Sequence, residues 1–597
     1  MILQALKGYY DRCKEDLAPE GFENKGIDYL IVIDSEGKFI GIDETGELIG
    51  KKEVAKKFIV PRSETRSGSK SYATAFLLWD HIGYVLGLAK KTDEKTPKQN
   101  ATFKEKIFNL PDSIKQDEGV SAIVKFYQSS GDFNKAVERA KEIKCAERPI
   151  PPYVSFRLQS SPFEIIPNRE AVKNFVVNNL STNTFFDDDS GNAVVEGICL
   201  ITGEHGKIKR THGKTFISAD ANSLISFQKN CGYDSYGKEQ GYNAPIIEST
   251  EFAYTTALNT LLKTPTQNMN IGGTKVLCWS EKATQFESDF RAIFSEPPKD
   301  DPSAGVFDVK SLFKSIENGA YVENEGTIKF YILGLSQGGG KRICVRFWKT
   351  GTVSEFAENI RQHFEDTAII KPPPPREPVY YSLKQMLKYA AVLDDEKNIP
   401  PNIAGDFMRS ILDGMPYPET LLQLVVRRVK SNPQDKKNGV IPERAALIKA
   451  YLNRYIRFHI NQNEKELKMA LDTGQTKDYQ YGRLFAVLEK IQEEAGNTGI
   501  RERYYGAACG APVTVFPTLM RLNKHHLAKV GKEKGTGRVI YFEQLIGEIV
   551  DHFGDFATHL NLHEQGKFAI GYYHQQRDLW TSKKDKENNL QGEKENG

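Results

Sequence analysis

The run KPPPPREP, residues 371–378, constrains this chain more than any other feature. Proline locks φ and carries no N–H. Four in succession favour an extended polyproline II spacer and end any helix before them. The run is therefore the clearest boundary in the sequence, and the patterning changes across it. Before it, DYLIVIDSEGKFIGIDETGELIGKKEVAKKFIVP alternates short β-rich runs with EG and TG turns, which predicts a small antiparallel sheet with hairpins. ATAFLLWDHIGYVLGL reads as core, and KKTDEKTPKQNATFKEK as a polar surface connection. From about Phe103 to Lys144 the pattern is helical. Strands return at YVSFRLQS and GNAVVEGICLITGEHGKIKR, followed by a helix at EFAYTTALNTLL. TKVLCWSE, KATQFESDFRAIFSE, TIKFYILGLSQGGGKRICVRFW and SEFAENIRQHFED then read as strand, helix, hairpin and helix. That order fits a ferredoxin-like or RNA-recognition-motif-like sheet with helices on one face.

Beyond the prolines β patterning almost vanishes. LKQMLKYAAVL, TLLQLVVRRV, ERAALIKAYLNRYIRFHI and YGRLFAVLEKIQEEA all show helical spacing. In the last, Leu484, Phe485, Leu488 and Ile491 form one apolar stripe that reads as core. The expected fold class is α+β: a mixed antiparallel-sheet region over 1–370, the linker 371–378, a helical connecting region 379–468, and a helical bundle 469–597.

Among 597 residues, 39% are hydrophobic and 27% charged, as in a globular protein. The net charge of +3 is small, so any basic surface must come from clustering. Seven scattered cysteines without a CxxC pair read as free thiols in a reducing cytoplasm. The charged N-terminus does not read as a signal peptide, and no stretch of 18 uncharged apolar residues is present to span a membrane.

No P-loop, HExxH, GxSxG or protein-kinase motif is present, so no catalytic residue and no cofactor is expected. Adjacent His525 and His526 on a helix point about 100° apart and suit one metal ion poorly. Cys199, His205, His212 and Cys231 form a spacing, C-x5-H-x6-H-x18-C, that matches no standard zinc site. Cys199 reads better as a small core residue in the apolar strand VVEGICLIT.

What stands out is positive charge clustered on loops. RSETRSGSKS (62–71) carries Arg62, Arg66 and Lys70, and EHGKIKRTHGK (204–214) carries Lys207, Lys209, Arg210 and Lys214. RLNKHHLAKVGKEKGTGR (521–538) carries Arg521, Lys524, Lys529, Lys532, Lys534 and Arg538; Arg427, Arg428 and Lys430 add a fourth cluster. Each alone reads as a solvated face. Together, on a chain without catalytic motifs, they favour a track for a polyanion. YDSYGKEQGYNAP (233–245) adds Lys238 and the amides of Gln240 and Asn243, which can reach base edges, with Tyr236 and Tyr242 able to stack. A capped turn before the next helix explains the same residues equally well.

In order along the chain, MILQAL-x-x-YY, VPRSETRSGSKSYATAFLLWDHIGYVLG, CLITGE, SYGKEQGYNAP with FAYTTALNTLL, ICVRFW, YGRLFAVLEKIQEEA and TVFPTLMRLNKHHLAKV resemble the large subunit of the subtype I-C CRISPR interference complex, Cascade. The resemblance implies a non-catalytic, cytoplasmic DNA-recognition subunit. Such a subunit sits near the 5′ handle of the CRISPR RNA, beside the RNA-bound backbone subunits. It reads the short protospacer-adjacent motif (PAM) in duplex DNA, promotes unwinding and R-loop formation, guides the displaced strand, and helps recruit a separate helicase-nuclease. Guide pairing reads most of the target, so the protein need read only a few base pairs.

On this resemblance the PAM would be met by Arg66, Ser67, Gly68, Ser69, Lys70 and Tyr72 from the first loop and by Lys238, Gln240 and Asn243 from the second. Arg62, Lys207, Lys209, Arg210 and Lys214 would hold phosphates, and the 521–538 cluster the displaced strand. The helical bundle resembles the small subunit, which in this family is commonly made from an internal start; Met469 is the matching position. Two other readings remain open: a sequence-blind RNA-binding scaffold built on the recognition-motif-like strands, and a metal-dependent nuclease.

Overall fold

The computed structural model describes all residues except 50–51, 64–65, 67–70, 91–93, 148–149, 181–194, 219–221, 234, 272, 295–324, 340–341, 371–380, 432–439, 460–463 and 582–597. It divides into two compact units. One comprises Leu6–Gly213 and Ile225–Ala257; the other comprises Met1–Ala5, Lys214–Leu224 and Leu258–Gly597. The division falls inside the Glu248–Lys263 helix rather than at the proline run, which lies outside the described residues.

In the first unit a four-stranded sheet runs in the order Phe39–Glu44, Tyr29–Ile33, Tyr153–Leu158, Asp80–His81. Tyr29–Ile33 is apolar at every position, and all five residues are buried, as suits a central strand covered on both faces. The expected hairpins form: Tyr29–Ile33 with Phe39–Glu44, and Glu47–Ile49 with Lys52–Val54. At the first of these, Gly37 has φ +76°, and a Cβ there would lie 2.6 Å from the Phe126 backbone nitrogen, so the turn requires glycine.

The sheet is not purely antiparallel, as the sequence led us to expect. Tyr29–Ile33 pairs in parallel with Tyr153–Leu158, in the register Tyr29↔Val154. A parallel pair needs a long crossover, and the helices between Lys95 and Glu142 supply it. Their apolar faces, among them Val120, Ile123 and Phe126, share a core with Ile31, Ile33, Phe156 and Leu158. The polar stretch 90–106 is corrected too, for a helix, Lys95–Phe108, begins within it. Thr96, Phe103 and Ile107 fall on one buried face, and the charges that suggested a loop line the outside.

The second unit opens with a four-stranded antiparallel meander: Asn268–Ile271, Thr274–Ser280, Lys329–Gln337, Ile343–Thr352, each strand beside the next in chain order. This corrects the ferredoxin-like or recognition-motif-like arrangement, whose strand order is interleaved. The tight turn at Gly273 (φ +78°) folds an extra strand onto Thr274–Ser280, leaving it no open edge for an interleaved neighbour. Phe286, Phe290, Phe356 and Ile360 from the two helices that follow strands pack with Val276, Phe330 and Ile332. The same core continues without a break through the helices after 381 to Tyr573.

At its centre the Lys477–Glu494 and Leu562–Trp580 helices cross closely. A Cβ on Gly482 would meet the Phe568 carbonyl oxygen at 2.0 Å, and one on Gly571 the Tyr479 carbonyl oxygen at 2.0 Å. Leu484, Phe485, Leu488 and Ile491 are buried as expected, but so is nearly every other residue of that helix from 478 to 488. Arg483 is among them, bonded to Gln575, Gln480 and Glu548. Among the described residues no helix is long and apolar enough to cross a membrane, and all seven cysteines are free.

Candidate nucleic-acid interface

The basic loop at 62–71 is held at both roots. Upstream, the Trp79 indole N–H donates to the Pro61 carbonyl at 2.8 Å; downstream, the Tyr84 hydroxyl donates to the Ser71 carbonyl at 2.8 Å. Between them, Asp80 is fully buried and ion-paired with Arg66. Its carboxylate also accepts the backbone N–H groups of Phe76 (2.9 Å) and His81 (2.7 Å). Burial pushes the Asp80 carboxyl above its usual range, against the opposing pull of Arg66. Burial, helped by Arg66, also holds His81 down to about 4.

Arg66 is thereby reassigned within the loop. Its Nε donates to the Thr74 carbonyl at 2.7 Å, and its guanidinium lies 3.7 Å from the Phe76 ring centre and 4.0 Å from that of Tyr84. Its donors are engaged inside the fold, so Arg66, expected among the residues that meet the PAM, braces the loop from within. Ser67, Gly68, Ser69 and Lys70 lie outside the described residues. Tyr72 is half-buried in a short 3-10 turn, with the Lys98 ammonium 5.4 Å over its ring. Arg62 is half-buried, its guanidinium 6.0 Å from the Phe252 ring centre. Asp80 is the residue that sequence reasoning missed. It was visible as the one acidic group in the apolar run 73–87, and an unexplained charge in a core segment asks for a partner.

In the same unit the second loop rests on the second basic segment. The Gly241 N–H donates to the Arg210 carbonyl at 2.8 Å, and Arg210 donates from its guanidinium to Gln240 Oε1 at 2.9 Å. A Cβ on Gly241 would sit 2.5 Å from the carbonyl oxygens of both Lys209 and Arg210, so only glycine permits this seating. The Asn243 amide donates to the carbonyls of Lys238 and Gln240, 3.1 Å each. Farther on, Lys209 N–H donates to the Ile246 carbonyl and Leu200 N–H to that of Pro245, 2.9 Å each. Gln240 and the Asn243 amide nitrogen therefore shape the loop, the capped-turn alternative, while other groups face outward. Lys238 is exposed, and Tyr236 is 99% exposed at φ +56°. A bulky residue held in the left-handed region with its ring in water is costly on both counts.

Lys209 pairs with Glu248 at 3.6 Å, Lys207 is half-buried on the His205–Lys207 strand, and Lys214 is exposed. Cys199, His205, His212 and Cys231 do not converge. Cys199 and His212 are buried, and His212 is hydrogen-bonded to the Tyr254 hydroxyl, whereas His205 and Cys231 are exposed. Among the described residues no three His, Cys, Asp or Glu side chains could hold a metal ion.

In the other unit, Arg521, Lys524 and Lys532 lie exposed on one face of the Pro512–Lys534 helix, at helical spacing, and make no ion pair among the described residues. Lys529 reaches Glu533 at 3.8 Å. Lys534 and Arg538 both pair with the largely buried Glu494, at 3.6 Å and 2.6 Å, and so link three helices. Arg428 and Lys430 are engaged with Asp394 and Gln565, while Arg427 is exposed.

A family model described as CRISPR-associated protein (Cas_Csd1) matches residues 6–580. The chain belongs to that family of CRISPR-associated proteins. No curated protein matches it.

Proposed function

We propose that this chain is the non-catalytic large subunit of a type I-C Cascade, and that it reads the PAM in duplex DNA. The observation that carries this is the second loop. In a CRISPR-associated chain, a glycine-seated, hydrogen-bonded loop holds Tyr236 and Lys238 out to solvent beside the 204–214 basic segment. A loop braced in this way loses little freedom when it meets base edges. Lys70 and its neighbours supply further PAM contacts, from the loop whose described roots Arg66 and Asp80 hold. Phosphate contacts come from Arg62, Lys207, Lys209, Arg210 and Lys214. The exposed Arg521, Lys524 and Lys532 face takes the displaced strand during R-loop formation.

The partners on this reading are target DNA, the CRISPR RNA-bound backbone and 5′-handle subunits, a helicase-nuclease, and a small subunit started at Met469. Met469 lies in the irregular segment between the Pro442–His459 and Lys477–Glu494 helices, so a chain begun there opens ahead of an intact helix. The RNA-scaffold alternative had rested on a recognition-motif strand order that the meander does not have. The test is binding of assembled complexes to duplexes that differ only in the PAM, across a salt series. Affinity that falls with PAM change and with salt supports the reading; equal affinity for every PAM overturns it.

A further inference from the structure

A cleft opens between the Lys477–Glu494, Ile500–Gly510 and Pro512–Lys534 helices. Leu488, Leu519 and Leu522 give it an apolar wall, with Tyr504 beside them. Leu519, Leu522, Asn523 and His526 follow one another at spacings of three, one and three, so one helix face supplies four of the nine lining residues. Asn523 is only 5% exposed, and its Oδ1 is buried without a hydrogen-bond partner. Buried polar atoms are almost always paired, so an orphan acceptor on a residue lining a cleft marks a missing donor. Its terminal amide torsion is broad and lets either end turn toward the opening.

At the rim, Arg503 is exposed. Its Nε donates to the Gly499 carbonyl at 3.1 Å, and its two terminal nitrogens make no hydrogen bond or ion pair among the described residues. Lys529 approaches the same turn, its ammonium 3.5 Å from where a Cβ on Gly496 would lie. An apolar slot, an aromatic ring, an unsatisfied amide and a rim cation are together what one nucleotide needs. The ring packs on apolar and aromatic surface, a base N–H meets the amide oxygen, and a phosphate meets the guanidinium.

We propose that this cleft takes one unstacked nucleobase of the displaced DNA strand, with its neighbouring phosphate on Arg503. The proposal rests on the displaced-strand reading above. It goes further by placing a base, where the Arg521, Lys524 and Lys532 face places only backbone.

The test is fluorescence anisotropy on the full chain with three probes of equal length: oligodeoxycytidine, its RNA counterpart, and an abasic deoxyribose-phosphate strand. Wild type binds oligodeoxycytidine roughly tenfold more tightly than the abasic strand, about the worth of one well-held base. Asn523→Leu removes the acceptor. Leu522→Trp puts a larger ring at a 39% exposed lining position, to fill the mouth. Both variants shrink the gap to about twofold or less, leaving abasic binding and the melting temperature unchanged. No gap in wild type, or a gap that survives in both variants, overturns the cleft while the displaced-strand reading stands. Tighter binding of the RNA probe than the DNA probe overturns the displaced strand as the source of the base. Failure to bind any of the three probes overturns the displaced-strand reading itself.

Discussion

At the scale of single residues, Arg66 and Asp80 separate what a basic residue suggests from what it does. Removing one member of a buried pair leaves the other charge uncompensated, a loss of about 3–5 kcal/mol. Arg66→Ala is therefore expected to destabilise the chain by that order at pH 8. The pH dependence follows from the direction of the Asp80 shift. Its carboxyl is raised in the folded state, mainly by burial, and Arg66 opposes the rise. A raised carboxyl binds its proton more readily when folded, so its cost to stability is present at high pH and is relieved as pH falls toward the folded value. Without Arg66 the rise is larger. The gap in melting temperature between wild type and Arg66→Ala should therefore narrow from pH 8 to pH 5; a gap that is constant or widens would place the loss elsewhere. None of this pairing is legible from the loop alone, because the partner sits 14 residues on, inside an apolar run.

Elements show where periodicity suffices and where it stops. The stripe Leu484, Phe485, Leu488 and Ile491 was readable because its spacing is helical. The burial of the whole helix was not, because Arg483, Gln480 and Asp478 look like a solvated face until their partners arrive from other elements. The mixed sheet escaped for a similar reason: strand patterning gives no partner 125 residues away, and YLIVI suits either pairing direction. The close crossing of two helices at Gly482 and Gly571 has a direct consequence. Adding a methyl group at either position drives a Cβ into the facing backbone, which cannot rotate aside. Gly482→Ala and Gly571→Ala should each cost about 3 kcal/mol or more, read as a lower urea midpoint. An unchanged midpoint would mean that the helices do not approach this closely.

At the scale of the whole molecule, a net charge of +3 hides the distribution that matters. Of the six cations expected along 521–538, Lys534 and Arg538 brace Glu494, Lys529 approaches Glu533, and Arg521, Lys524 and Lys532 face solvent without an ion-pair partner among the described residues. A sequence lists charges but not which of them are already neutralised, so a patch read by counting is always an upper limit. Replacing Arg521, Lys524 and Lys532 together by alanine should lower the slope of log affinity against log salt by about 2 for single-stranded DNA. An unaltered slope would remove this face from the track.

The central claim is that two loops read the PAM, one rooted by the Arg66–Asp80 pair and the other seated on the 209–210 backbone. Its most direct measurement is the ratio of affinities of assembled complexes for duplexes with the preferred and an altered PAM, taken for wild type, Lys70→Ala and Lys238→Ala. The expected wild-type ratio is roughly ten or more. In each variant that ratio should fall toward one, while binding to a guide-matched single strand stays unchanged. Variants that discriminate as well as wild type would contradict it.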